Sequence, residues 1–224
     1  MARQQQEILR RAVWPSNLGL CDRSGTDLVA HLMQYLTDES PNRVILSIDG
    51  VGAFDHISRA RMFEALLADP SLHSLIPFVR QWYASPSRYL WRDENGTPHE
   101  IAQGDGGEQG DAMMPALFCL ALKAALQEIQ AGLPAGATIL AYLDDIYLVC
   151  EPEDTALIFH MVREILGRTC NIDVNLDKLA ARSKAVQASP AGLDAISQQA
   201  WKSDKPEAER GIKILGTPVR CRAF

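Results

Sequence analysis

Two adjacent carboxylates, Asp144 and Asp145, interrupt an apolar run that extends from Ile139 to Cys150. Anionic groups held side by side repel each other, and the arrangement is costly unless a cation lies between them and something else. A second apolar stretch, Val44 to Ile48, ends in another carboxylate, Asp49. Carboxylates converging from two strands are the usual oxygen cage for Mg²⁺, which keeps several waters and takes its remaining ligands from substrate phosphates. Two such ions clamp the attacking and leaving oxygens of an in-line phosphoryl transfer. The plainer reading is a solvated turn that happens to be acidic. Taken alone, the Asp144–Asp145 pair favours that plainer reading, and it is the separate Asp49 stretch that shifts the balance.

Positioning these groups requires strands. Short runs of Ile, Leu, Tyr and Val read as strands, and a polar pair between two of them reads as a tight hairpin turn. Asp-Asp lacks the glycine that two-residue turns favour, so turn chemistry does not account for it. Helices surround the strands. Thr26 is a good N-cap for a helix with Leu28, Leu32, Tyr35 and Leu36 on one face, and Ser58 for one with Met62, Phe63, Leu66 and Leu67 inward. A further helix starts near Pro77 and runs through Val79, Trp82 and Tyr83. Glu94-Asn95-Gly96 marks a hairpin between Arg88–Arg92 and Thr97–Ile101. The interleaving of Arg80, Arg88 and Arg92 with aromatics suits a nucleic-acid strand, and a half-buried hairpin face explains the same residues. The glycine-rich run from Gly104 to Gly110 opens a long apolar helix from Pro115 to Ile129, and Asp154 caps a helix with Leu157, Ile158, Met161, Ile165 and Leu166 as its stripe. Residues 1–16 read as a flexible terminus, and 185–210, rich in Ala, Ser, Gln and charge, as a loop or insertion.

With 224 residues, 47% hydrophobic and 22% charged, the chain has room for a substantial core and is not disordered as a whole. A net charge of −6 argues against a surface that grips nucleic acid everywhere, while leaving room for local basic strips. The cysteines at 21, 119, 150, 170 and 221 are odd in number and never form a C-x-x-C pair, which suits reduced thiols of an intracellular protein. Neither a signal-peptide core nor a membrane-spanning run is visible, so a soluble protein without a membrane partner is expected.

Ser47-Ile48-Asp49-Gly50-Val51-Gly52-Ala53-Phe54-Asp55, then Gly106 to Phe118 with Gln109-Gly110-Asp111 and Pro115, then Tyr142-Leu143-Asp144-Asp145, stand in a telling order and spacing. They resemble the three central motifs of reverse transcriptases, and most closely those of retrotransposons without long terminal repeats. Asn171 to Lys178 and Gly211 to Gly216 resemble the fourth and fifth motifs, so the likeness spans residues 17–219. It implies an α+β polymerase palm, a small antiparallel sheet backed by helices, with part of the fingers. The family's remaining finger strands and its thumb are expected to lie outside these residues, on a longer retroelement protein.

The resemblance also assigns roles. Asp49, Asp144 and Asp145 would be the catalytic carboxylates and hold two Mg²⁺, or Mn²⁺ in their place, with a backbone carbonyl from Gly50. Phe54 would be the aromatic gate beneath the sugar of an incoming deoxynucleoside triphosphate. Gln109 and Gly110 would line the nascent base pair, and Lys178 would lie near the triphosphate. Tyr142, Leu215, Gly216 and Arg23 would meet the RNA template or the DNA primer. Glu108, Ala112 and Met114 depart from the family pattern, which usually has a basic residue, proline and serine at these positions. The implied activity is RNA-directed DNA polymerisation. Its rivals are an inactive remnant that at most binds nucleic acid, and a nucleotide cyclase, against which the Gln109-Gly110 stretch counts.

Overall fold

The strands that carry the acids are apolar on nearly every residue because both of their faces are covered. The computed structural model describes residues 2–20, 24–108, 110–206 and 211–219. In chain order the elements are α1 (Ala2–Val13), α2 (Gly25–Glu39), β1 (Val44–Ile48), α3 (Ala53–His56), α4 (Arg59–Ala68), a 3₁₀ turn (Pro70–Leu75), α5 (Ile76–Tyr83), β2 (Ser87–Arg92) and β3 (Pro98–Gln103). There follow α6 (Met114–Gly132), β4 (Thr138–Tyr142), β5 (Asp145–Cys150), α7 (Thr155–Cys170), β6 (Ala180–Ser183), α8 (Leu193–Ile196), β7 (Ile212–Ile214) and β8 (Thr217–Val219).

The central sheet has the order β4-β5-β1-β6, with every pair antiparallel. Successive side chains of a strand point to opposite faces. Accordingly Val44, Leu46 and Ile48 of β1 and Ile146, Leu148 and Cys150 of β5 join the large core built on α6 and α7. Ile45, Tyr147 and Val149 join a second cluster with Val29, Ala30 and Met33 of α2 and Ile212, Ile214 and Val219 of the β7–β8 hairpin. Helix α6 is apolar almost all round, as a helix surrounded by others must be, with Leu117, Phe118, Cys119, Ala125 and Ile129 fully buried. This is the α+β arrangement with a small antiparallel sheet that the sequence implies.

Several expectations need correcting. The terminus is helical: α1 packs Leu9, Ala12 and Val13 into the main core, an amphipathic face that the charge of Arg10 and Arg11 masks in the sequence. Helix α2 starts after Ser24, not at a Thr26 cap, and buries Val29, Ala30, Met33 and Thr37, leaving Leu28 and Tyr35 exposed. Two overlapping stripes of helical period exist there, and the sheet selects the slimmer one, which lets the helix approach closely. Leu67, Trp82 and Leu157 are likewise exposed, because only one side of their helices meets the core. The β2–β3 hairpin forms, with Arg92 opposite Pro98, but is not half-buried: Tyr89, Leu90, Trp91 and Ile101 all face solvent. Residues 185–206 have little regular structure, yet they are packed rather than loose. Leu193, Ala200 and Trp201 are buried, Trp201 bridges in parallel to Ala181, and its indole Nε1 donates to the Gln187 carbonyl at 2.8 Å.

Cys119, Cys150 and Cys170 are buried thiols outside any disulfide. Burial first of all pushes Cys150 up to about 11 and Cys170 up to about 12. Cys21 and Cys221 lie outside the described residues.

Candidate active site

Register brings the carboxylates together. Ile48 of β1 pairs with Ile146 of β5, so one further step sets Asp49 across from Asp145, on the same face of the sheet as Tyr147. The turn between β4 and β5 is one residue earlier than expected. Leu143 and Asp144 form it, and Asp145 already belongs to β5, paired with Tyr142. Leu143 has a φ of +54°. Three carboxylates thus gather at one end of two paired strands.

The surroundings of Asp144 and Asp145 oppose ionisation. Burial first, then the charge of Asp144 and of Asp49, pushes Asp145 up to about 6. Asp144 is also raised, chiefly by burial. Beneath them the Tyr147 hydroxyl is driven up to about 12, by burial and then by the Asp145 charge. Lys178 answers the negative charge from the far side, its Nζ 3.0 Å from Asp49 Oδ2, and the proximity of that carboxylate raises Lys178 in turn. Asp49 Oδ2 is closed to solvent and has no partner of good hydrogen-bond geometry among the described residues, so the ammonium is its counter-charge without fully satisfying it. The Asp49 main chain is anchored separately, its carbonyl accepting from Asn175 N at 2.8 Å.

Among the described residues no three His, Cys, Asp or Glu side chains already stand in a metal-holding cluster. The donor set nevertheless fits a hard cation. It is all oxygen, it includes a buried oxygen without a proper hydrogen bond, and its members raise one another's affinity for protons, a cost that a divalent cation removes.

Gly50 continues β1 past its end, bridging to Val174, and a Cβ there would come within 2.8 Å of Ile172 and 2.9 Å of Ala53. Beyond it, the helix α3 presents Phe54. Its ring stacks on Phe118 of α6 with centroids 4.3 Å apart, and with Gly107, Glu108, Gly110, Asp111, Met114 and Pro115 it lines a cavity of about 220 Å³. The glycine-rich loop is fastened to α3 by Gly107 N donating to Phe54 O at 3.0 Å and Gly106 N to Ile57 O at 2.8 Å. Gly106 has a φ of +69°, and a Cβ there would fall 2.1 Å from the Asp55 carbonyl oxygen. Only glycine fits.

Arg59, which the sequence reading passed over, holds this loop from below. It is buried, its guanidinium donates to Gly106 O, Ser85 O and Ser87 Oγ at 2.8 to 2.9 Å, and it lies over the Tyr83 ring. Asp111 accepts from the Tyr83 hydroxyl and from Met113 N. Glu108 is held below the usual carboxylate range by Ser87 and by the Tyr89 hydroxyl, which donates to it.

Of the remaining expected residues, Tyr142 closes β4, and its ring lies 3.1 Å from where a Cβ on Gly25 would be. Leu215 and Gly216 form the two-residue turn of the β7–β8 hairpin with φ values of +49° and +84°, and Leu215 N donates to the Tyr147 hydroxyl at 3.2 Å. The structure thus brings Asp49, Asp144, Asp145 and Lys178 together and sets Phe54 and Gly110 around one cavity. Gln109 and Arg23 lie outside the described residues.

A family model described as reverse transcriptase (RNA-dependent DNA polymerase) matches residues 5–219. The chain belongs to that family. Reverse transcriptase domains in general use divalent metal ions, in keeping with the all-oxygen donor set. No curated protein matches the sequence. Among solved structures, an apo telomerase from Candida tropicalis truncated from its C-terminal domain has a TM-score of 0.60 and 14% identity, over 84% of this chain and 41% of that one. Telomerase from the same species in complex with a TWJ fragment of telomeric RNA has a TM-score of 0.58 and 12% identity, over 80% of this chain and 33% of that one. At such identities the likeness is one of fold, and this reverse transcriptase domain spans well under half the length of those telomerase chains. No described helix is long and apolar enough to cross a membrane.

Proposed function

We propose that this reverse transcriptase domain is an RNA-directed DNA polymerase, transferring a nucleotidyl group from a deoxynucleoside triphosphate to a primer 3′-hydroxyl by a two-metal mechanism. The observation that carries the reading is the register that sets Asp49 against Asp145, with Asp144 in the adjoining turn and Lys178 beside them. Asp49, Asp144 and Asp145 would hold the ions, Mg²⁺ or Mn²⁺, with the Gly50 carbonyl as a further oxygen. When bound, the ions lower the pKa of the attacking hydroxyl and neutralise charge on the leaving pyrophosphate.

The chain's own residues do the rest. Phe54, backed by Phe118, presents a flat wall to the sugar, and a ribose 2′-hydroxyl would meet it. Gly110 borders the Phe54 cavity and would line the space for the new base pair, a role the resemblance gives to Gln109 as well. Lys178 is poised to leave Asp49 for the more concentrated negative charge of a triphosphate, which frees the Asp49 oxygen as the nucleotide arrives. Tyr142 and the Leu215-Gly216 turn would guide the primer end, and Arg23 the template.

The partners are an RNA template, a DNA primer and the finger and thumb segments of a longer protein, here taken to be a retroelement of the kind without long terminal repeats. A telomerase neighbour in complex with telomeric RNA supports an RNA partner. The inactive-remnant reading draws on Glu108, which sets a charge opposite to the family's usual one beside the Phe54 cavity. Primer extension on a homopolymer template with Mg²⁺, by this domain joined to a related enzyme's fingers and thumb, is the test. Extension that disappears in Asp49→Asn and Asp144→Asn supports the proposal, and a silent protein that still binds primer–template supports the remnant.

A further inference from the structure

The turn that carries Asp144 depends on a residue far away in sequence. Leu143, at a φ of +54°, occupies the left-handed region that side chains other than glycine and asparagine avoid, because Cβ crowds the backbone there. One side chain brackets it. Asn17 Oδ1 accepts from Leu143 N at 3.0 Å and from Gly19 N at 2.9 Å, while Asn17 Nδ2 donates to Leu143 O at 2.9 Å. Turning the amide over would set its NH₂ against two backbone donors and its oxygen against a carbonyl, so the network admits one orientation.

Asn17 is only 1% exposed, which leaves water no access to replace these bonds. The neighbouring residues press on the same turn. Leu18 N donates to Ala141 O at 2.8 Å, and Gly19 passes so near that a Cβ would lie 2.6 Å from Leu143 N. A donor, two acceptor roles and a glycine cleared for close approach all converge on one strained residue, next to Asp144.

We propose that Asn17 is a positioning residue for the carboxylate site: by holding Leu143 in the left-handed conformation, it fixes where Asp144 points relative to Asp49. This rests on the metal-binding reading of Asp49, Asp144 and Asp145. Asn17 touches no ligand itself and acts through the Leu143 backbone. Aspartate at this position keeps the acceptor but loses the donor. Glycine at position 143 would adopt the same φ without support.

The experiment is a Mn²⁺ titration of the full chain as wild type, Asn17→Ala, Leu143→Gly and the double variant. Amide exchange at Leu143 and thermal unfolding are recorded on each. Asn17→Ala is expected to weaken Mn²⁺ uptake by about tenfold or more, as loss of a supporting residue behind a metal ligand does. It should also speed exchange of the Leu143 amide, while the amides of β1 and β5 stay protected. In the Leu143→Gly background the same substitution should cost less than about threefold, since glycine needs no clamp.

An equal loss of affinity in both backgrounds, or unchanged affinity and exchange in Asn17→Ala, overturns the proposal. A wild-type chain that takes up no Mn²⁺ overturns the metal reading instead. The Leu143 amide then decides alone, accelerated exchange supporting the clamp and unchanged exchange overturning it. Should Asn17→Ala fail to fold, Asn17→Asp takes its place: it keeps the acceptor for Leu143 N and loses the donor to Leu143 O, so Mn²⁺ affinity alone is read, a loss in the wild-type background that shrinks with Leu143→Gly supporting the proposal and an equal change in both overturning it.

Discussion

Asp145 titrates where both uptake of a cation and stability of the fold can be read. Its proton is held up to about 6, by burial first and then by Asp144 and Asp49, against 3.8 for an ordinary aspartate. The folded, metal-free chain therefore binds this proton more tightly than the unfolded chain does. The Asp145 contribution to stability is fully present below pH 3.8 and is lost as the pH rises to about 6. Two outcomes are expected. Asp145→Asn raises the unfolding temperature of the metal-free protein at pH 7.5, since it removes a poorly solvated charge while keeping shape. Mn²⁺ uptake by the wild type moves the other way with pH, weakening as pH falls through 6, because cation and proton compete for one carboxylate. A Tm for Asp145→Asn that equals or falls below the wild-type value would show that the carboxylate is not under strain.

Phe54, which the resemblance assigns to a sugar gate, is also a packing residue. One face lies on Phe118 and the other lines the cavity beside Gly110. Phe54→Ala is therefore expected to cost roughly 2 kcal/mol in urea unfolding, less than the about 3–5 kcal/mol of a fully buried phenylalanine. Joined to a related enzyme's fingers and thumb, the same variant should also admit ribonucleotides. Intact discrimination in that variant would leave Phe54 a packing residue only. The acids stood out because Asp144 and Asp145 break an apolar run and Asp49 ends one, whereas Phe54 was singled out only by the resemblance. Asn17 and Arg59 did not stand out, since a polar residue buried by partners far away in sequence leaves no local pattern.

At the scale of elements, the glycine-rich loop owes its place to α4 as much as to its glycines. Arg59 opens that helix and spends its guanidinium on Gly106, Ser85 and Ser87. Removing it leaves the buried Gly106 carbonyl unpaired, so Arg59→Ala is expected to lower stability by more than about 2 kcal/mol, hydrogen bonds to a charged group contributing about 1.5–3 kcal/mol each. Arg59→Lys should recover little, because an ammonium lacks the planar fork that reaches three acceptors at once. Full recovery by lysine, measured by urea unfolding, would reduce Arg59 to a simple charge. The same scale shows where sequence pattern reaches its limit. The hairpins and long helices were readable from Asn95-Gly96 and from apolar period. Which stripe of α2 faces the sheet was not, because β1, which follows it, makes that choice only together with β5 and β7–β8, both far from α2 in the chain.

Across the whole molecule, net charge bears on how this domain meets nucleic acid. It carries a net charge of −6 and covers 33–41% of the telomerase chains it matches in fold. Holding reacting groups in line supplies on the order of 7–11 kcal/mol of an enzyme's rate, and in a longer polymerase that alignment comes partly from neighbouring segments. The 224-residue chain alone is thus expected to extend primers poorly and to bind primer–template with an affinity that falls steeply with salt. Fluorescence anisotropy across a salt series, with extension measured in parallel, checks both. Robust extension by the chain alone would mean that the palm aligns its substrates unaided.

The ribbon formed by β2 and β3 will govern how the purified chain behaves in a tube. Each of its strands has a single hydrogen-bonded neighbour, so both edges offer unpaired amides and carbonyls, and Leu90, Trp91 and Ile101 lie bare along it. Open edges with apolar side chains recruit further strands, and charged residues are the usual deterrent. Arg88 and Glu100 face each other across the ribbon at 2.9 Å and largely cancel as such a deterrent. Concentrated samples should therefore grow turbid from ribbon-to-ribbon stacking, and Leu90→Lys with Ile101→Lys should keep them clear without moving the unfolding midpoint.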